Sequence, residues 1–217
     1  MRWRGQSVCI VASGPSLTRA DVSYARQHLD RVIVVNESWR MCATADVCYG
    51  ADSVWWMHRG PKPQVDDFTG ELWTQNHQWH VPRPPYLRVI ESRAGDGLPQ
   101  PGDKFVYTGH NSAFQALGLA VTWGATDVVF LGLDLQSADG GPNHWHEDYT
   151  GPVRNVRVAY PTFIRAFNKC APVAAQMGVR IVNASRQSAL TAFPRLTLAE
   201  ACAVATSRRV ALIGDPG

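Results

Sequence analysis

Short runs of β-branched and apolar residues recur along this chain, each followed by a small polar turn and most by a helical stretch. That rhythm belongs to the α/β class. Ser7–Ala12, Arg31–Val35, Asp46–Gly50, Leu87–Ile90, Asp127–Leu133 and Val179–Val182 read as strands. Their apolar character is nearly continuous, as expected of strands covered on both faces in a mainly parallel sheet. Leu17–Leu29, Ser112–Trp123, Thr162–Met177 and Leu198–Ala205 read as the covering helices. The expected architecture is a Rossmann-like, doubly wound α/β sheet with helices on both faces.

Two stretches break the rhythm. Residues 56–102 are rich in Pro, Gly, Trp and polar side chains, and residues 137–160 contain "SADGGPNHWHEDYTGPVRN" with little apolar periodicity. Loops longer than about 12–15 residues are usually functional or disordered, and tryptophans argue against disorder, so both are expected to be ordered lid insertions on the carboxyl edge of the sheet. Trp55, Trp56, Trp73 and Trp79 are candidates to stack on a sugar or base, with core packing as the alternative. With 217 residues the chain suits a single domain spanning 1–217.

The charge of +3 comes from scattered arginines and marks no nucleic-acid track. The five cysteines form no CxxC pair, and Cys9 and Cys48 lie inside apolar runs as small core hydrophobes. With neither a signal-peptide segment nor a run of about 20 apolar residues, the expected compartment is a reducing cytoplasm. Self-association is left open.

Four polar turns carry the chemistry. In "SVCIVASGPSLTRADV" the first strand enters Ser13-Gly14-Pro15-Ser16, with a glycine for close approach, two hydroxyls for phosphate oxygens and a proline suited to a first helical turn. Thr18 and Asp21 add a Thr-x-x-Asp helix start. The turn matches neither GxGxxG nor the P-loop. Asn36 closes the second strand, either as a nucleotide contact or as an Asx turn. Asn111 and Ser112 open the Ala/Leu-rich helix that Gly124 ends, as caps or as an anion site. Past the strand finishing near Asp134, "NHWHEDY" places His144 and His146 beside Glu147 and Asp148, a set that serves as a general base held by a carboxylate or, less well, as metal ligands.

Taken in order, "VASGPSL", "VVNESW", "NSAFQALGLAVTWGATDVVFLGLDL" and "HWHED" resemble the family-42 bacterial sialyltransferases and a wider group around them. That group includes archaeal-type 6-hydroxymethylpterin pyrophosphokinases and phage or prophage proteins, which also tend to carry "HWH" and a segment like "VNASRQSALTAFPR". The resemblance covers about residues 7–52 and 107–196. It implies that Gly14, Pro15 and Ser16, with Asn36 and Ser112, hold a nucleotide, and that His144 or His146 is the catalytic base. Ser13 stands where the family has Asn, "NSA" replaces "TSG", and the tyrosines supporting the leaving phosphate have no clear counterpart.

The expected function is therefore nucleotide-sugar-dependent glycosyl transfer with a histidine base. Ser13, Gly14, Pro15, Ser16, Asn36, Asn111, Ser112 and Asp134 form the expected nucleotide site, with no metal or other cofactor required. The acceptor is open, a modified nucleobase in DNA or a glycan being candidates, and a phage-encoded chain would work in the host cytoplasm. The alternatives are an ATP-consuming pyrophosphokinase, with Mg²⁺ on Asp52, Asp134 or Glu147, and a non-catalytic nucleotide-binding protein.

Overall fold

A computed structural model describes residues 1–63, 66–77, 79, 82–138, 141–146 and 156–213, with side chains as far as 207. Among the described residues eight strands form one sheet: β1 (Ser7–Val11), β2 (Arg31–Val35), β3 (Val47–Tyr49), β4 (Glu71–Gln75), β5 (Arg88–Arg93), β6 (Phe105–Tyr107), β7 (Asp127–Leu131) and β8 (Arg180–Asn183). Every pairing is parallel and the spatial order is β6-β5-β4-β3-β2-β1-β7-β8. The helices are α1 (Arg19–His28), α2 (Ser53–His58), α3 (Ser112–Thr122), α4 (Val156–Gln176) and α5 (Leu198–Ile213), with a 3-10 segment at Asn36–Met41.

The order explains where ligands would go. The chain steps outward from β1 to β6, and α3 then returns so that β7 lies on the other side of β1. The winding reverses between β1 and β7, and the carboxyl ends of the strands at such a reversal are where open α/β sheets generally bind ligands. Because successive strand side chains point to opposite faces, Val8 and Ile10 of β1 pack with α3 and α4, while Cys9 and Val11 pack with α1 and α5. The expected Rossmann-like α/β architecture is present.

The helix ends follow their sequence signals. Thr18 Oγ1 accepts from the Asp21 N–H at 3.2 Å and donates to Asp21 Oδ2 at 2.6 Å. Gly124, just past α3, takes a φ of 92°, the left-handed geometry that suits glycine after a helix. The helix α4 starts at Val156, ahead of the expected Thr162, and carries Pro161 and Pro172 inside it. Tertiary packing of Ala166, Phe167, Cys170 and Ala174 against the sheet outweighs the local cost of proline, which an expectation based on helix breakers cannot anticipate.

The stretch 56–102 contains β5, which overlaps the strand expected at Leu87–Ile90, and also β4, which was not expected; both extend the sheet beyond β3. Trp55 and Trp56 are only 6% and 0% exposed, and the Trp56 indole donates to the Gly50 carbonyl at 2.8 Å. These two rings are core and are not available to stack on a ligand. Trp73 and Trp79 are half-buried. Much of 137–160 lies outside the described residues. All five cysteines are free and buried, and burial pushes the Cys9 and Cys48 thiols up. Among the described residues no helix is long and apolar enough to cross a membrane.

Candidate functional site

The turn after β1 lies where the winding reverses and is satisfied from within. Gly14 N–H donates to the Gly132 carbonyl at 2.7 Å, and Leu17 N–H closes a turn onto Gly14 O at 3.2 Å, with Pro15 and Ser16 as its central pair. Ser16 gives both its N–H (2.7 Å) and its hydroxyl (2.8 Å) to the carboxylate of Asp134. From Gly14 to Leu17 no backbone N–H remains for an incoming anion, which corrects the expectation of a backbone phosphate cradle there. Nor does Pro15 enter a first helical turn, because α1 begins only at Arg19. Glycine is required at 14 for space: a Cβ there would stand 2.4 Å from Asp134 Cγ and 2.6 Å from the Gly132 carbonyl.

Asp134 is 1% exposed. Burial raises its carboxyl above the ordinary range, opposed by the two Ser16 hydrogen bonds and the charge of Arg195. Arg195 is anchored by bonds to the carbonyls of Ser185 (2.7 Å) and Arg186 (3.2 Å). The segment after β8 continues this bracing. Ala189 N–H reaches the Asp134 carbonyl at 2.8 Å, Ser185 Oγ accepts from Leu133 N–H at 2.8 Å, and Arg186 grips Asp21 through two nitrogens at 2.7 and 3.0 Å. The Arg186 bonds hold the Asp21 carboxyl below its usual value.

One strand over, the turn after β2 is the opposite case. Asn36 has a left-handed φ of 49° and its buried Oδ1 has no hydrogen-bond partner. Glu37 beside it is buried, accepts from the Trp55 indole at 3.3 Å and pairs with Arg59 and Arg40. Ser38 ties the two turns together, donating to Ala12 O at 2.8 Å and lying 3.2 Å from Ser13 Oγ. Ser13 Oγ in turn donates to Val35 O at 3.3 Å.

The start of α3 joins the same edge. Asn111 caps the helix through Oδ1, accepting from Ala113 N–H at 2.7 Å and Phe114 N–H at 3.2 Å. Ser112 Oγ accepts from Ala51 N–H at 3.3 Å, just past β3. Ser13, Gly14, Asn36 and Ser112 therefore share the carboxyl edge across β1, β2 and β3, while Asn111 does the work of a cap. Among the described residues, Asn36, His110 and Leu135 are the non-glycine residues with positive φ. Each follows a strand at this edge or precedes α3, and backbone strain of this kind collects at functional sites.

The histidine loop reaches the same turn. Trp145 N–H donates to Ser13 O at 3.2 Å, and its indole donates to Ser38 Oγ at 3.2 Å. The rings of His144 and His146 stack with centroids 4.9 Å apart and planes 5° from parallel. His146 is buried at 8% exposure and His144 is half-buried, the more accessible of the two. Glu147 and Asp148 lie outside the described residues. Ser38, Trp145, Arg186 and Arg195 lie inside the motifs VVNESW, HWHED and VNASRQSALTAFPR but were not among the expected site residues; their partners lie far away along the chain, so the sequence does not show what they hold.

Of the carboxylates named for Mg²⁺, Asp134 spends both oxygens on Ser16. Asp52 stands exposed at the end of β3, where desolvation nevertheless raises its carboxyl. Glu147 lies outside the described residues. Among the described residues no group of three or more His, Cys, Asp or Glu side chains is placed to hold a metal ion. Compared with family models, with curated proteins and with solved structures, the chain matches none of them.

Proposed function

We propose that this chain is a nucleotide-sugar-dependent transferase that binds its donor across the carboxyl ends of β1 and β2 and uses His144, or failing that His146, as general base. The observation that carries the reading is the double tether of Trp145 to Ser13 and Ser38, which holds both histidines beside the Ser13 and Asn36 turns. The donor phosphate is met by the side-chain N–H of Asn36, since the Ser13 hydroxyl proton goes to Val35 O and the N–H groups from Gly14 to Leu17 are already taken. The acceptor hydroxyl attacks the anomeric carbon, its proton passes to the imidazole, and the anomeric C–O bond to the phosphate breaks, releasing the nucleotide with the bonding pair. The half-buried position of His144 suits this step, because a base must be reachable yet shielded from bulk water.

A thermal-shift screen against CMP, UDP, GDP, ADP and their sugar conjugates, with and without Mg²⁺, tests the binding half. A ligand at 100 times its Kd stabilises by about 2.7 kcal/mol, and no shift with any of them overturns the reading. For the chemical half, His144→Ala is expected to slow transfer about 10²–10⁴-fold with donor affinity nearly unchanged. Turnover unaffected in both His144→Ala and His146→Ala removes the mechanism. Loss of activity in chelator, with AMP as product, would favour the pyrophosphokinase instead.

A further inference from the structure

The carboxyl end of β4 and β5 carries a second built polar cluster. Gln75, 3% exposed, donates to Ala51 O at 3.2 Å and accepts from the Ser92 hydroxyl at 2.6 Å and the His77 N–H at 3.0 Å. Ser92, 1% exposed, also gives its N–H to Asn76 Oδ1 at 2.8 Å. The result is a buried Gln–Ser pair that fixes two exposed residues, Asn76 and His77.

Their hydrogen bonds determine what each offers to solvent. The Ser92 N–H can only donate, so Asn76 must turn Oδ1 toward it, which leaves the Nδ2 donors outward. A carbonyl can only accept, so the 2.7 Å contact between His77 Nε2 and Ser92 O puts a proton on Nε2, which in the neutral imidazole leaves the lone pair on Nδ1. Beside them the half-buried Trp79 ring is held by its indole N–H on the Gln75 carbonyl at 3.2 Å. A donor, an acceptor and an indole are the kinds of group that saccharide hydroxyls and the C–H face of a sugar ring call for.

We propose that Asn76, His77 and Trp79 form a binding site for saccharide hydroxyls, with Asn76 Nδ2 donating to one hydroxyl, His77 Nδ1 accepting from another and Trp79 contacting the C–H face of the sugar. The site lies on the same edge as Asn36, two strands beyond β2. It deepens the transferase reading by giving the sugar a place, and it rests on that reading only for its use in catalysis.

NMR of the full chain, following the His77 ring and the Trp79 indole N–H, tests the binding directly. The probes are D-galactose, D-glucose and N-acetylglucosamine alone, then each nucleotide of the thermal-shift screen beside its sugar conjugate. Concentration-dependent shifts at both residues with a free sugar are expected if the site serves the acceptor. Shifts with a sugar conjugate, absent with the bare nucleotide, are expected if it holds the donor sugar. His77→Ala should weaken the effect at Trp79 at least about tenfold, and Trp79→Ala the effect at His77 likewise, each with an otherwise native spectrum. The proposal is overturned if no probe moves either residue or if the sugar effect survives both substitutions. Failure of nucleotides to shift Ser13 and Asn36 is a separate result, which sinks the transferase reading and leaves the sugar site standing.

Discussion

The turns after β1 and β2 are neighbours on one edge, built from the same small and polar residue types, yet they are finished in opposite ways. In the first, the protein supplies its own anion: the Asp134 carboxylate takes both donors of Ser16, and Gly14 fits against it with no room for a side chain. In the second, Asn36 is held left-handed with a buried amide oxygen that nothing satisfies. A polar turn at a carboxyl edge is thus no guarantee of a ligand site. What distinguishes the two is whether the hydrogen-bonding capacity is consumed internally.

The comparison breaks most readily at Gly14. Gly14→Ala forces a Cβ against a pinned carboxylate and a backbone carbonyl, neither of which can swing aside, and overpacking of this kind is expected to cost about 3 kcal/mol. The midpoint of urea unfolding measures it, and a loss below about 1 kcal/mol would mean that the first turn is looser than its contacts imply.

Asp134→Asn comes next. The amide keeps the shape but turns a donor or a single acceptor toward Ser16, and about 2 kcal/mol should be lost. The pH dependence sharpens the point. Burial raises the folded-state pKa of Asp134 above an unfolded value of about 3.9, so the native chain holds its proton over a range where the unfolded chain has released it. Its contribution is complete below the unfolded pKa and falls as pH climbs through the raised folded value. Asparagine does not titrate, so the stability gap between wild type and Asp134→Asn should narrow as pH rises from about 4. A gap that widens instead would show that the ionised carboxylate is the stabilising form.

A smaller effect is expected at Trp145→Phe, which keeps the ring and the backbone bond to Ser13 but removes the bond to Ser38. Ser38 retains Ala12 O and Ser13, so the loss should be about 1 kcal/mol. The informative readout is the loop, since the His144 and His146 ring resonances should move while those of His28, on the opposite end of α1, stay fixed. Unmoved ring resonances would mean that the indole bond does not position the histidines.

How much of this was legible in the sequence follows from the same physics. The strands β1, β2 and β7 lie in the middle of the sheet and β8 at its edge, and all four have core packing on both faces, so each announces itself as an apolar run. β4, "ELWTQ", begins with Glu71 and ends with Gln75, and β6 is only "FVY"; neither has the length or apolar continuity to stand out from a polar neighbourhood. Trp55 and Trp56 looked available because they adjoin a Gly/Pro-rich stretch, and they are buried because α2 folds them under the sheet. At the site, the residue types of the turns were readable and their placement on one edge followed from strand order. The pairing of Ser16 with Asp134 spans 118 positions and is visible only once β1 and β7 lie side by side.

The least disruptive substitution is the one that most directly tests the second turn. Asn36→Gly places the one residue that adopts a φ of 49° without steric cost and deletes an amide oxygen buried without a partner, an omission that costs about 1–3 kcal/mol in a folded chain. Against these gains stands the added freedom of glycine in the unfolded state, about 0.5–1 kcal/mol. The net expectation is a chain at least as stable as wild type and up to about 2.5 kcal/mol more so, in contrast to the heavy loss at Gly14→Ala. If Asn36 is kept strained because it meets a ligand, the same variant should lose the thermal shift produced by whichever nucleotide stabilises the wild type. Stability retained with binding lost separates the two turns by function. Stability retained with binding intact would leave Asn36 a strained closing turn, and the nucleotide would have to be held elsewhere on the edge.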